Sequence, residues 1–164
     1  VYLQLQWPCP SEDHPGTEYL HKGMFSRGKG SFTPVDFTLP AELPDREYPF
    51  ILSTGRILFH YHTGTMSRRS ATLNAFHDEA YIEISREDAR VLGIQDDEIV
   101  KVSTRRGEIE IKATISERVL PGSVFIPFHF SEAPANKLTN DALDPRAKIP
   151  ELKVAACKVA RRGG

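Results

Sequence analysis

From Tyr48 onward the sequence predicts a mainly β domain with short helices, folded as a barrel, and three observations predict it. Apolar runs of strand length recur between turn signals, a single capped helix stands among them, and Arg105-Arg106-Gly107 joins two runs as a β-hairpin. Residues 1–47 differ. They hold half of the prolines, in Trp7-Pro8-Cys9-Pro10 and His14-Pro15-Gly16-Thr17 among others, with no sustained periodicity, and read as an extended arm or linker. Trp7, Phe25, Phe32 and Phe37 make that arm too apolar for a free linker, so it is expected to lie against a surface of its own domain or of another part of the protein.

Tyr48 to Leu52 reads as a short buried strand, followed by Thr54-Gly55-Arg56, which adds a permissive backbone and a fixed positive charge. Ile57 to His62 reads as extended, and a period of two would set His60 and His62 on one face with Phe59 and Tyr61 on the other. Thr63-Gly64-Thr65 then offers successive backbone N–H groups, two hydroxyls and a close approach at glycine, with Met66 and the pair Arg68-Arg69 behind it. That composition suits a phosphate or diphosphate, and it also describes an ordinary surface turn. His60 and His62 are not expected to hold zinc, because no third ligand stands at convincing spacing.

Ala80 to Ile84 alternates as a half-buried strand. Ser85 with Asp88 three positions on gives a helix start, Ala89, Val91 and Leu92 its apolar face, and Gly93 its stop. Glu98–Thr104 and Ile109–Ile115 form the hairpin, Pro121-Gly122 turns the chain into Val124–Pro127, and Lys153–Val159 reads as a closing strand. Between the last two strands, residues 128–152 lack a strand or helix pattern, and a loop of that length is functional or disordered. Asn136, Thr139 and Asn140 offer donors and acceptors for a heterocycle, and Lys153 reaches for an anion; the same Asn and Thr residues also suit turns.

The formal net charge of −1 gives no general attraction to nucleic acid, and no apolar stretch is long enough to span a membrane. Cys9 and Cys157 stand far apart, so neither a zinc or iron–sulfur pair nor a disulfide framework is indicated; each reads as a packed or idle thiol. The start at Val1, inside an apolar run without a signal-peptide pattern, is what a piece of a longer polypeptide would show.

Taken together, Thr54-Gly55-Arg56, His60-Tyr61-His62-Thr63-Gly64-Thr65-Met66, the helix and hairpin from Ile84 to Ile111, Asn136-Lys137-Leu138-Thr139, Asp144-Pro145 and Lys153 resemble the C-terminal domain of the dimethyl sulfoxide reductase superfamily. These are oxidoreductases that carry bis(molybdopterin guanine dinucleotide) with molybdenum or tungsten. The order and spacing fit over roughly residues 48–160. Leu5-Gln6-Trp7-Pro8-Cys9-Pro10 and His14-Pro15-Gly16-Thr17 resemble the segment that leads into this domain in formate dehydrogenase catalytic subunits, and Phe128-His129-Phe130-Ser131-Glu132-Ala133-Pro134-Ala135-Asn136 resembles formate dehydrogenases more than nitrate reductases, which share the earlier and later motifs. Ser67 stands where threonine is frequent, and Asp96-Asp97 replaces a common Gly-Asp.

The resemblance implies a double-psi β-barrel from residue 48 to 164 that binds molybdopterin guanine dinucleotide. It implies cofactor contacts at Thr54, Gly55, Arg56, His60, His62, Thr63, Gly64, Thr65, Met66, Asn136 and Lys153, and a place for Phe128 at the substrate cavity. No catalytic residue and no metal ligand is expected in this chain, since the family takes its cysteine or selenocysteine ligand from another domain. The implied activity is two-electron oxidation of formate to carbon dioxide by a cytoplasmic enzyme, in company with the remaining domains of the same subunit and redox partner subunits, and not by the isolated fragment. A nitrate reductase domain and a non-enzymatic double-psi barrel that recruits proteins are the alternatives; the latter has no need of the His60–Arg69 and Asn136–Lys153 stretches.

Overall fold

The computed structural model describes residues 6–163 and separates into two compact units, one ending at Thr38 and one starting at Leu39. Val1 and Leu5, used in the sequence reading of the chain start and of the arm, lie outside the described residues. The first unit is irregular. Phe25 and Gly28 exchange backbone hydrogen bonds across a tight turn, and Thr17 Oγ1 donates to the Pro8 carbonyl at 2.6 Å. Trp7, Phe32 and Phe37 are exposed, and the described residues of this unit form no buried core.

The second unit is a closed six-stranded barrel. Its strands are β1 (Phe50–Gly55), β2 (Tyr81–Ser85), β3 (Ile99–Thr104), β4 (Gly107–Ser116), β5 (Ser123–Pro127) and β6 (Ala155–Arg161), in the spatial order β1-β5-β2-β4-β3-β6, with β6 returning to β1. Two neighbouring pairs are parallel, β1 with β5 and β2 with β4; the other four are antiparallel. Closure leaves no bare sheet edge. The inward residues follow from the period of two: Leu52, Ile82, Ile84, Val100, Val102, Ile111, Val124, Ile126 and Cys157 are all buried and fill the centre.

Local chemistry explains the punctuation. Ser85 Oγ accepts the Asp88 amide at 3.0 Å, which starts helix α2 (Arg86–Leu92), and Gly93 ends it with a left-handed φ of 69°. A shorter helix, α1 (Ala71–Asn74), is capped by Ser70 and was not expected from the sequence. Within α2 only Ala89 is buried and Leu92 half-buried. Val91, expected on the apolar face, is 73% exposed.

Ile57 to His62 is not a strand. Gly55 is the last residue that β5 can pair, and its carbonyl accepts the Phe128 amide at 3.1 Å, so the chain leaves the barrel there. It then turns, with the Gly64 amide donating to the Tyr61 carbonyl and His62 at a left-handed φ of 50°. His60 is therefore buried while His62 is exposed, and the expected common face does not form.

Residues 39–47, read as arm from the sequence, belong to the barrel unit. Glu42 holds them there. Its carboxylate accepts hydrogen bonds from Arg106 at 2.7 and 2.8 Å, from Arg105 at 2.7 Å and from the Ala156 amide at 2.9 Å. Residues 128–152 are ordered by their own contacts: Phe130, Ala133, Ala135 and Leu138 are buried, and Leu143 bridges to Pro150.

Candidate functional site

The strand registers place the strand ends from which both segments carrying the predicted contacts depart at one end of the barrel. Gly55 lies opposite Pro127 at the ends of parallel β1 and β5, and Leu52 lies opposite Ala155 at the start of β6. β3 runs antiparallel to β6, with Ser103 opposite Lys158, and Thr104 faces Gly107 across the hairpin, so the Arg105-Arg106 turn is at the same end. The 56–80 and 128–154 connections both leave from this end. Their convergence is a consequence of topology, because β1 and β5 run in the same direction.

On the first connection, Thr54 is buried and its Oγ1 donates to the Leu152 carbonyl at 2.8 Å. Its carbonyl accepts from Lys153 Nζ at 2.5 Å, which ties the two connections together. Gly55 is close-packed: an added Cβ would stand 2.7 Å from the Phe125 ring and 3.6 Å from Lys153 Nζ. The exposed Arg56 guanidinium has no hydrogen bond or ion pair among the described residues. It lines a groove of about 630 Å³ with Phe59, His77, Tyr81 and Arg118.

The histidines divide. His60 Nε2 donates to the His77 carbonyl at 2.6 Å, which leaves Nδ1 as the acceptor facing Ser67 Oγ at 3.3 Å; both nitrogens are occupied within the protein. The His62 ring meets Phe128 edge-on at 5.7 Å. Gly64, at φ 75°, is buried in the turn, flanked by Thr63 and Thr65, whose hydroxyls share a hydrogen bond of 2.9 Å, and by exposed Met66.

Arg68, read from sequence as a phosphate partner, is already engaged. It forms a two-pronged ion pair with Glu132 at 2.9 and 2.6 Å, donates to the Asp78 carbonyl and lies over the Phe130 ring. The guanidinium holds the Glu132 carboxyl down to about 2.

On the second connection, Asn136 lies in the 3₁₀ turn Ala135–Lys137 with its side-chain amide exposed and without a partner among the described residues. Asn140 is structural. It is buried and bonded to Glu151, the Val154 carbonyl and the Ala142 amide. Arg106 donates to the Leu138 carbonyl at 3.0 Å, so the Glu42–Arg106 pair also fixes the turn that carries Asn136.

Two residues outside the set of expected cofactor contacts stand inside this end. Ser67 Oγ accepts the Tyr61 amide at 2.9 Å and shapes the turn, a role that needs the hydroxyl it shares with the threonine frequent at this position in the resembled family. His129 is buried beside His60, with ring centroids 5.0 Å apart, and among the described residues neither of its nitrogens makes a hydrogen bond of ordinary geometry. Flanked by Phe128 and Phe130, it looks in sequence like one more core position.

The model of the family described as "Molydopterin dinucleotide binding domain" matches residues 50–156. The chain belongs to this family. The match runs from the first residue of β1 into β6, so the barrel of this molydopterin dinucleotide binding domain is the matched unit. The chain is 54% identical over 159 residues to the F420-dependent formate dehydrogenase subunit alpha of Methanocaldococcus jannaschii, covering 96% of itself and 24% of that protein. It is 38% identical over 160 residues to the assimilatory nitrate reductase catalytic subunit of Bacillus subtilis, covering 94% of itself and 22% of that protein. This domain thus spans about a quarter of the length of the curated relatives it matches. Its fold is that of part of acetylene hydratase from Pelobacter acetylenicus, with a TM-score of 0.61 at 19% identity over 70% of this chain and 18% of that one.

Proposed function

We propose that this domain holds molybdopterin guanine dinucleotide, with molybdenum or tungsten, as part of a formate dehydrogenase catalytic subunit, and that its barrel is of the double-psi type. The observation that carries the reading is the meeting of the Thr54–Met66 and Phe128–Lys153 segments at one barrel end. The residues there fit the group. Arg56, His62 and Asn136 present polar side chains without partners among the described residues, Thr63 and Thr65 flank the Gly64 turn as exposed residues, and Lys153 has ammonium hydrogens left beyond the one directed at Thr54. Since Arg68 is paired with Glu132 and the Gly64 amide with the Tyr61 carbonyl, phosphate charge falls to Arg56 and the Thr63 and Thr65 amides.

Bound at this end, the cofactor supplies two-electron chemistry, formate to carbon dioxide. The protein's part is to bind, orient and exclude water, with Phe128 half-buried against His62 at the cavity. Cys157 is unsuited to ligate the metal, since burial pushes its thiol up to about 12 inside the barrel core, and the resemblance assigns the ligand to another domain of the subunit. The remaining domains of the subunit and redox partner subunits complete a cytoplasmic enzyme. Among the described residues no helix is long and apolar enough to cross a membrane.

Identity to a nitrate reductase subunit supports the second reading, the same domain in a nitrate-reducing enzyme. Formate oxidation against nitrate reduction by the full-length protein separates the two. For the site, Asn136→Ala and Lys153→Ala are each expected to weaken cofactor binding by about 1–3 kcal/mol, the cost of a buried polar group left without its partner. Metal and pterin content measured beside thermal unfolding checks this. Full cofactor content and wild-type turnover in both variants would remove these residues from the site.

A further inference from the structure

The Thr63-Gly64-Thr65 turn lies directly on His129. A Cβ built on Gly64 would stand 3.4 Å from the His129 Cβ and 3.0 Å from Arg68 side-chain carbons, so no atom separates the turn from the residue beneath it. The ring is only 5% exposed, walled by His60 and Phe130 at centroid distances of 5.0 and 4.7 Å, with Phe128 at 6.0 Å. His60 has partners for both nitrogens; among the described residues neither nitrogen of His129 makes a hydrogen bond of ordinary geometry, and the His62 backbone lies beside the ring.

Buried polar groups are paired in folded proteins, and one that is not calls for a cause. Burial first and His60 second lower the His129 imidazole to about 4, with the His62 backbone opposing them and Arg68 and His77 adding to them, so it is neutral at pH 7 and keeps one N–H donor and one lone-pair acceptor. A phenylalanine would fill the same aromatic pocket without two orphaned atoms. The turn above carries its own constraint, since His62 at φ 50° is held in a backbone conformation that side-chain residues rarely adopt.

Resting on the cofactor reading above, we propose that His129 is a further ligand-binding residue: one of its ring nitrogens hydrogen-bonds a polar group of the pterin dinucleotide once the His62–Thr65 turn shifts to admit it. The orphaned nitrogens and the constrained turn are then two sides of one arrangement, closed without ligand and relieved with it.

The test uses the full-length protein that carries this domain, in wild-type form and as His129→Phe and His129→Gln, each assayed for released molybdopterin and guanine nucleotide after graded dialysis. His129→Phe is expected to fold, because the pocket is aromatic, and to lose cofactor affinity by roughly 5- to 150-fold, while His129→Gln, with a donor and an acceptor, recovers part of it. Should the phenylalanine variant fail to fold, ring ¹⁵N resonances of wild-type histidines decide: loading should move one buried neutral histidine to a hydrogen-bonded shift. Wild-type retention in His129→Phe, or a His129 resonance unchanged by loading, overturns this proposal and leaves the cofactor reading standing. Absence of pterin from the wild-type protein itself overturns both.

Discussion

Removing the Glu42 carboxylate tests whether the segment before β1 is held by charge. In the folded chain this carboxylate, 12% exposed, receives two guanidinium groups and the Ala156 amide. The hydrogen bonds from Arg106 are the largest reason why its carboxyl drops from 4.5 to about 2, followed against the opposing effect of burial by the Ala156 amide and Arg105. At about 1.4 kcal/mol per pH unit, that drop corresponds to roughly 3 kcal/mol as an upper value. Arg105 is 41% exposed and screened by water, which brings the expected cost of Glu42→Ala to about 2 kcal/mol. Urea unfolding of the chain measures it.

The pH dependence gives an independent sign. A depressed folded value means that the contribution is complete above pH 4.5 and fades as the pH falls toward 2. The difference between wild type and Glu42→Gln should therefore be constant at neutral pH and shrink between about pH 5 and 2. A cost below about 0.5 kcal/mol, the level of an ordinary surface change, or a difference that does not vary with acid, would refute the ion-pair account.

Gly64→Ala should destabilise the barrel unit by about 1–2 kcal/mol through its left-handed backbone, and crowding against Arg68 adds to the loss; thermal unfolding of the variant checks this. Cys157, fully buried with its thiol held at about 12, should stay unlabelled by a maleimide at pH 7 and react only on unfolding; mass spectrometry of the labelled peptide reads the outcome.

The barrel was largely legible because its strands obey a period of two and its turns carry their own chemistry: Ser85 and Gly93 bound the helix, and Arg105-Arg106 the hairpin. Ile57 to His62 misled because alternation of aromatic and histidine residues looks like a strand whether or not a neighbour is there to pair with it. The ladder beside it ends at Gly55. Arg68 misled for a related reason. Its partner Glu132 lies on the far connection, and no local pattern reveals a carboxylate that distant in sequence. Composition did mark Gly55, Gly64 and Asn136, but only the parallel pairing of β1 with β5 brings their segments to one end. His129 was invisible because its significance lies in two missing hydrogen bonds.

The order of the strands also bears on synthesis. β1 is the first strand of this barrel to be made, yet both of its neighbours, β5 and β6, are the barrel's last two. During translation β1 has nothing to pair with until residues 123–161 have left the ribosome, and the Lys153 ammonium cannot reach the Thr54 carbonyl before then. The proposed binding end is assembled by the closing step of the barrel, so a cofactor held there would be inserted only after β6 has been made. A nascent chain stalled before Ala155 leaves β1 and β3 each with a bare edge, a species for which a holding chaperone is the fitting companion.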